Sequence, residues 1–376
     1  MMVKLDEVVV KISGNEDRFT TDLEYYLAGE HYESERIAIY KKGIIKDNLG
    51  VLGFKFHFPF KAGDTIFMSR NPHLKKAGMV TYDGICSDTS YILRTRDNNI
   101  LSERFLPLVL QNDRFWRWFE ENKSGSVNYL LNWKSLKEYE FDLPPIEEQL
   151  RIADIAWAVE ETRVAYERMI AATDELVKSQ FIEMFYGKGY PVKTIGEVID
   201  KKISRVGKVF EKTDSIQYLD ISSIDNTSKT VTRLTPYVLA EAPSRAQYVL
   251  KQNDIMYSTV RPNLQNIAIN PYSDDNVVGS TGFCVLRCTG VTTGYMWGVI
   301  NSIPFTETMV NQAGGANYPA VTDKVVHAYE IPIPPEREQS AYEELVRQSD
   351  KSKFELEQAL AELNATYKRI ITENLC

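Results

Sequence analysis

Two stretches of the chain repeat apolar residues at steps of three and four, which is the period of one face of an α-helix. Residues 144–187 and residues 334–376 each follow a Pro-Pro pair, and each helix would be roughly 55–60 Å long at about 1.5 Å per residue. Two helices with a single apolar stripe most simply pack on each other as an antiparallel coiled coil. The alternative, that each packs on its own domain, stays open. The stripes contain Ile152, Ile155, Val159, Tyr166, Met169, Leu176 and Phe181, and Leu345, Leu356, Leu363 and Ile370.

Residues 1–143 have a different pattern, in which short apolar or alternating runs are separated by turn signals. Such runs are typical of β-strands. One longer stretch, residues 104–122, has a helical pattern. The sequence therefore predicts a mixed domain of the α+β class, with strands at residues 8–12, 36–40, 51–58, 65–69, 79–82 and 90–93.

Residues 188–333 repeat the sequence pattern of residues 1–143. Asp64 aligns with Asp254, Gly125 with Gly315, and Gln149 with Gln339, and the two residues of each pair are 190 positions apart. We call this difference the repeat offset. The helical stretches align at the repeat offset without a gap. A period this long is no solenoid repeat and indicates a duplicated unit. We predict four segments: a first domain at 1–143, a long helix at 144–187, a second domain at 188–333 and a second long helix at 334–376. Antiparallel helices would relate the two similar domains by a pseudo-twofold axis.

Composition narrows the class of protein. The net charge is −8, and the acidic surplus falls in the two helical stretches, which leaves the two domains close to neutral. No apolar run is long enough to cross a membrane, and the start MMVKLDEVVV has no signal-peptide pattern. We expect a soluble, cytoplasmic protein. Cys284 and Cys288 form the one closely spaced cysteine pair, but no histidine stands at ligand spacing, so no metal site is predicted.

Motifs for catalysis are missing. The sequence has neither a phosphate-binding loop nor a glycine-rich AdoMet loop after a strand. Asn270-Pro271-Tyr272 faintly resembles an amino-methyltransferase site but reads as an ordinary turn, and the four histidines do not cluster. We predict a non-catalytic chain that binds no cofactor of its own.

Two polar segments recur in both domains. The first is residues 69–76 against 259–266, and the second is residues 122–129 against 311–318. Arg, Asn, Gln and Lys side chains bind base edges and phosphates, although a solvated polar turn or shared fold constraints explain the first pair too. For the second pair, a structural turn and a DNA contact are equally good interpretations. The predicted DNA contacts are Arg70, Asn71, His73, Lys75, Lys76, Asn128 and Tyr129, and Arg261, Asn263, Gln265, Asn266, Asn317 and Tyr318.

The segments LPPIEEQLRIA, LVKSQFIEMF and IPIPPEREQ, together with the duplicated plan, resemble the specificity subunit of type I restriction–modification systems. The resemblance covers essentially the whole chain. It implies two target recognition domains that read an asymmetric bipartite site in double-stranded DNA, and helices that set the distance between half-sites. It also implies docking of two methylation subunits and a restriction subunit, with AdoMet, ATP and Mg²⁺ chemistry only in those partners. Arg337 replaces the first Glu of the helix-start motif in the second copy.

Two other functions remain as alternatives. A stand-alone DNA methyltransferase or nuclease would bind AdoMet or metal by itself. A coiled-coil adaptor would hold two proteins and bind no DNA.

Overall fold

The computed structural model describes residues 1–71, 74–122, 130–315 and 318–375. The chain divides into two compact units: Met1–Arg168 with Leu356–Cys376, called unit 1, and Met169–Glu355, called unit 2. Each unit thus combines one set of strands with parts of both long helices. Where the domains themselves begin and end stays a prediction.

The helices occur at corresponding places in the two halves of the chain. Asp113–Asn122 and Ile303–Gln312 are related by the repeat offset, as are the two long helices. The α-helices of the described residues are α1 (Leu5–Val8), α2 (Ile45–Asn48), α3 (Leu106–Gln111), α4 (Asp113–Asn122), α5 (Trp133–Leu136), α6 (Ile146–Phe185), α7 (Thr293–Asn301), α8 (Ile303–Gln312), α9 (Asp323–His327) and α10 (Glu336–Leu375).

Unit 1 has a five-stranded sheet of order β2-β10-β7-β8-β4, a four-stranded sheet of order β5-β3-β9-β6, and the pair β1-β11. The central strands are buried on both faces, which fits their nearly continuous apolar sequences. The bounds are β1 (Met2–Lys4), β2 (Val9–Ile12), β3 (Tyr25–Leu27), β4 (Ala38–Ile39), β5 (Gly43–Ile44), β6 (Phe56–Phe60), β7 (Thr65–Met68), β8 (Ala77–Val80), β9 (Gly84–Ser87), β10 (Ser90–Thr95) and β11 (Glu140–Asp142).

Unit 2 builds sheets of order β16-β13-β20-β17 and β19-β18-β21, with the pairs β12-β22 and β14-β15. The pair β12-β22 is the counterpart of β1-β11 at the repeat offset. The bounds are β12 (Val192–Thr194), β13 (Ser215–Leu219), β14 (Ile224–Asp225), β15 (Thr230–Val231), β16 (Thr235–Val238), β17 (Ala246–Val249), β18 (Ile255–Ser258), β19 (Ile267–Ile269), β20 (Val277–Ser280), β21 (Phe283–Leu286) and β22 (Glu330–Pro332). The α+β class and the internal repeat are confirmed.

Two predicted elements differ. The strand predicted at residues 51–58 begins only at Phe56, because the chain turns over residues 51–55. The helical pattern over residues 104–122 is two helices, α3 and α4, because the chain breaks at Asn112, whose backbone is extended there. The Asn112 Oδ1 atom accepts a hydrogen bond from Phe115 N at 2.8 Å and so caps α4. Ser302 caps α8 through the corresponding bond from Phe305 N at 3.4 Å.

The aligned acidic residues of the two halves have the same role. Asp64 in unit 1 is buried and receives two hydrogen bonds from Arg94, at 2.8 and 2.9 Å. Asp254 in unit 2 receives the equivalent pair from Arg287, at 2.8 and 2.7 Å. Hydrogen bonding to Asp254 raises the pKa of Arg287, although burial opposes the shift. A two-pronged ion pair therefore ties adjacent strands together in each unit.

The long helices begin directly after their Pro-Pro pairs, and α6 ends near Gly187, whose φ of +71° is a left-handed conformation that glycine adopts readily. In unit 2, Asp174 of α6 lies 2.7 Å from the Lys353 ammonium, and the Phe181 ring lies 5.2 Å from the Tyr342 ring. Residues of increasing number along α6 thus lie opposite residues of decreasing number along α10. The predicted antiparallel pairing is confirmed.

The buried face of α6 is not the predicted stripe throughout. Ile152, Val159 and Phe181 are buried and Tyr166 is half-buried, but Ile155, Met169 and Leu176 are 37%, 52% and 49% exposed. These three do not form the seam within this chain, because small and polar side chains take the buried positions. Those positions include Ala153, Ala156, Glu160 and Arg163. On α10, the predicted stripe residues are half-buried: Leu345, Leu356, Leu363 and Ile370.

The start of α6 packs on its own domain as well as on α10. Ile152 and Ala156 belong to the same buried cluster as Leu106 of α3 and Phe119 of α4. The Arg163 guanidinium of α6 lies 5.5 Å from the Tyr367 ring centroid of α10 in the same unit. The sequence left open whether the helix packs on its own domain or on the other helix. In the structure it does both.

Candidate nucleic-acid interface

The first recurring polar segment is a loop between two antiparallel strands in each unit. Residues 69–76 connect β7 to β8, and residues 259–266 connect β18 to β19. Met68 N donates to Lys76 O at 3.0 Å, and Ser258 N donates to Asn266 O at 3.0 Å, which closes both loops at their bases. We call them the unit 1 loop and the unit 2 loop.

Both loops contain two left-handed residues four positions apart. The φ angles are 49° at Asn71 and 46° at Lys75, and 51° at Arg261 and 49° at Gln265. Residues other than glycine rarely adopt this conformation, which costs about 1–3 kcal/mol and concentrates at functional sites. The surrounding contacts therefore hold the backbone of both loops in one strained shape.

In unit 2 the second recurring segment lies beside the first, whereas residues 123–129 of its unit 1 counterpart lie outside the described residues and only the residues that follow them contact the unit 1 loop. In unit 1, Leu131 N donates to Ser69 O at 3.0 Å, and Arg70 forms an isolated bridge with Leu130. In unit 2, Val321 N donates to Thr259 O at 2.9 Å, and the Arg261 guanidinium lies 4.7 Å from the Tyr318 ring centroid. The structure thus brings the two predicted segments together in unit 2. The recurrence of both segments in the two halves of the chain was their signal in the sequence.

Some of the predicted contact residues are exposed to solvent and others are half-buried. Arg70, Arg261, Asn263 and Tyr318 are exposed, whereas Asn71 and Asn266 are half-buried. An exposed arginine above a tyrosine ring combines a charge with a flat surface, a pairing suited to phosphate or base contact. His73, Asn128, Tyr129 and Asn317 lie outside the described residues.

Three other predicted contact residues are engaged within their own unit. The Lys75 ammonium lies 2.7 Å from Glu35 Oε1, and the Lys76 ammonium donates to Gly29 O at 2.6 Å. In unit 2, the Gln265 side chain donates to Thr306 Oγ1 at 2.8 Å and accepts from the Lys229 ammonium at 3.2 Å. These side chains support the loops from behind.

The pKa shifts agree with the role of these inward-facing side chains as supports of the loops. The hydrogen bond from Lys75 lowers the pKa of Glu35, and the Lys368 ammonium at 3.2 Å adds to the effect. Burial and the nearby Lys178 lower the pKa of Lys229 to about 8. Glu35 and Lys229 both have positive φ angles, of 58° and 54°. Neither residue was recognisable in the sequence as a support for the loops, because each comes from a segment far from the loop it contacts.

One cysteine–histidine contact has no counterpart among the sequence-based predictions. Cys284 Sγ lies 3.4 Å from His327 Nε2. However, Cys284 is 1% exposed, and burial raises its pKa well above the ordinary value, so the group is a thiol and not the thiolate that acts as a nucleophile. Cys86, Cys284 and Cys288 are free thiols.

Metal sites and membrane-spanning helices have no candidates in the part of the chain that the structure describes. No group of three or more His, Cys, Asp or Glu residues there could hold a metal ion. Nor does any helix among those residues have the length and apolarity needed to span a membrane.

Comparisons with known proteins agree with these features. Residues 1–171 match the family described as the type I restriction modification DNA specificity domain. The type I restriction enzyme EcoDI specificity subunit of Escherichia coli is 30% identical over 93 residues, which span 25% of this chain and 20% of that relative. The matched region is therefore about a fifth of that relative's length.

Two solved structures have the same fold over the whole chain. One is a chain of a type I R-M system studied for its complex assembly and conformational transition, with a TM-score of 0.57, 17% identity, and coverage of 100% of this chain and 97% of that one. The other is the type I restriction-modification system S subunit from M. genitalium, with a TM-score of 0.56, 14% identity, and coverage of 100% and 96%. Residues 1–171 are thus similar to the type I specificity family that the motifs indicated, and the chain shares its fold with these two structures.

Proposed function

We propose that this chain recognises DNA sequence for a type I restriction–modification assembly and performs no chemistry itself. Each unit presents one strained loop, with a second polar segment beside it in unit 2, and the two loops share their left-handed positions but differ in side chains. This combination is the observation that supports the proposal most directly. Two surfaces of the same shape and different chemistry would read two different half-sites, so the target would be bipartite and asymmetric.

The contacts divide into two groups. Arg70 and, in unit 2, Arg261, Asn263 and Tyr318 are the exposed side chains that would meet base edges or phosphates. Lys75, Lys76 and Gln265 would act indirectly, by holding the loop backbones in place. A good bidentate pair between an arginine and a guanine contributes about 1–3 kcal/mol of discrimination.

The similarity to type I specificity subunits supports a proposal for the partners. Methylation and restriction subunits would supply the catalytic activities, and two methylation subunits would fit a chain with two similar halves. Ile155, Met169 and Leu176 are exposed apolar residues on α6, which makes them candidates for contact with a methylation subunit. AdoMet, ATP and Mg²⁺ would bind in the partners. The assembly would act in the cytoplasm.

The experiment is a map of methylated adenines in cells that express the chain with its methylation subunit. A single bipartite motif with unlike halves is the expected result. Replacing Arg261 and Asn263 with alanine should then relax one half of that motif and leave the other unchanged. Methylation that is independent of the chain, or relaxed equally in both halves, would favour a coiled-coil adaptor without DNA recognition.

A further inference from the structure

Unit 1 contains a polar cavity that DNA recognition does not explain. Its volume is about 340 Å³, and its walls come from the unit 1 loop, the end of α3, and the parts of α6 and α10 that belong to this unit. A space of this size is large enough for a small organic molecule.

Four buried polar atoms on the walls of this cavity have no hydrogen-bond partner among the described residues. They are Gln111 Oε1, Arg163 Nε, Asn364 Oδ1 and Tyr367 Oη. Arg163 and Tyr367 are 7% and 8% exposed. Buried polar groups are normally paired, so four such atoms on one cavity indicate a ligand that hydrogen-bonds to them. The set contains two amide oxygens that can only accept, one donor, and one hydroxyl.

The orientation of the Gln111 amide is fixed by its surroundings. Its Nε2 atom donates to the carbonyl oxygens of Arg36 at 3.0 Å and Lys75 at 3.2 Å, and also to that of Ala77. The Oε1 atom is therefore the one left for a ligand, and exchanging the two atoms would replace favourable contacts with repulsion between oxygens.

The positions of unit 2 that correspond to this cavity at the repeat offset surround a side chain of the chain itself, Lys229. The Lys229 ammonium donates to Asn301 Oδ1 and, at 3.2 Å, to Gln265 Oε1. It also interacts electrostatically with Lys178, Asp174 and Lys353. These five neighbours correspond to five residues on the unit 1 cavity: Gln111, Lys75, Lys368, Asn364 and Arg163.

The charges in unit 1 do not oppose a cation. Its cationic side chains are already paired with carboxylates: Arg36 with Glu160 and Glu167, Lys75 with Glu35 and Asp113, Arg163 with Glu160, and Lys368 with Glu35. These four cations and four carboxylates balance. In unit 2, Lys229 stays an ammonium at neutral pH even beside two other lysines, since its pKa falls only to about 8.

We propose that the unit 1 cavity binds a small primary amine. Its ammonium would donate to Gln111 Oε1, the counterpart of the Asn301 acceptor of Lys229, and to Asn364 Oδ1, the counterpart of Asp174. Arg163 Nε is a donor, so an amine that also carries an oxygen fits better than a plain alkylamine. Ethanolamine has both groups and is the simplest probe.

The test is calorimetric titration of the full chain with ethanolamine, with choline as the matched control. Choline has the same charge and hydroxyl but no N–H donors. We expect saturable binding of ethanolamine and binding of choline that is weaker by about tenfold or more, because a quaternary ammonium cannot hydrogen-bond to the amide oxygens. Equal binding of both probes, or binding of neither, overturns the proposal, as does stronger binding of inorganic phosphate.

Substitutions locate the site. Asn364→Asp supplies a carboxylate, as Asp174 does in unit 2, and should tighten ethanolamine binding about fivefold through a charge-assisted hydrogen bond. Asn364→Leu should abolish binding. Asn122→Leu is the control, since Asn122 is an exposed asparagine of the same unit and lies outside the cavity. Unchanged affinity in both Asn364 variants overturns the proposal.

The second unit provides an independent check. Lys229→Ala removes the internal ammonium, and ethylamine should then restore part of the lost thermal stability of this variant in a saturable way. Ethylamine should leave the stability of the parent protein's unit 2 unchanged. If the folded variant shows no response to ethylamine, the equivalence between the two places is wrong. If the variant fails to fold, the titrations of the parent chain and the Asn364 variants decide.

Discussion

Gln149 offers the sharpest test of how a long helix is attached to its domain. This residue lies in the first turn of α6 and is fully buried. Its Oε1 atom accepts from Ser102 N at 3.0 Å, and its Nε2 atom donates to Ile100 O and Pro144 O, both at 2.8 Å. Gln149→Met keeps the length of the side chain but leaves three backbone groups without partners. At about 1 kcal/mol for each lost bond, the variant should be destabilised by about 3 kcal/mol.

The second copy of the motif provides a comparison for the size of this loss of stability. Gln339 in α10 accepts from Thr292 N at 2.8 Å and donates to Pro334 O at 2.8 Å, two bonds in place of three. Gln339→Met should therefore cost about 2 kcal/mol, with the loss confined to unit 2. The order of the two losses depends only on the number of bonds, and their difference corresponds to one bond.

Hydrogen exchange measures these effects locally, which matters because a chain of two units need not unfold in one step. Exchange at the Ser102 amide should accelerate by about 100-fold in Gln149→Met, since 1.4 kcal/mol corresponds to a factor of about ten. Gln180→Met, at a position on α6 whose one side-chain bond is solvent-exposed, is the control. A Gln149 variant as stable as this control, or less affected than Gln339→Met, would refute the reasoning.

Three further outcomes follow from the structure. Gly298→Ala should lower the stability of unit 2 by about 1–3 kcal/mol in urea unfolding, because the added Cβ would lie 2.5 Å from the Phe181 ring; a gain of about 1 kcal/mol from helix propensity alone would contradict this. Asn263→Ala and Arg261→Ala should each reduce discrimination at one half-site by about 1–3 kcal/mol in competition binding by the assembled complex; a loss at both half-sites would argue against the assignment. The Lys229 ammonium should titrate with a pKa of about 8 by NMR, and a pKa near its ordinary value would show that the ammonium is solvated. Because the unfolded chain holds this proton to higher pH, the stability of unit 2 should rise between about pH 8 and pH 10.5 relative to Lys229→Met.

The repeat is the most informative feature of the sequence. Equal spacing alone indicates the paired helices, the matched loops at residues 69–76 and 259–266, and the aligned positions of Asp64 and Asp254. These features are local in the sequence or occur once in each half of the chain. They can therefore be recognised in a single sequence without an alignment.

Features that depend on distant contacts were not predictable in the same way. Lys75, Lys76 and Gln265 have the right chemistry for DNA, but their partners Glu35, Gly29 and Lys229 come from other parts of the fold and turn them inward. The exposed positions of α6 were misjudged for a similar reason. Alanines and a buried Arg36–Glu160 pair occupy its contact face, which an apolar stripe does not reveal.

The left-handed residues of the two loops limit how such a protein can acquire a new specificity. Positions 71, 75, 261 and 265 must keep a conformation that β-branched residues adopt only with strain, so their repertoire is narrow. Arg70 and Asn263 are exposed and carry no such restriction. Random libraries directed at these two unrestricted positions should yield a larger folded fraction than libraries spread over whole loops. Divergence of binding preference among natural relatives should concentrate at the same places.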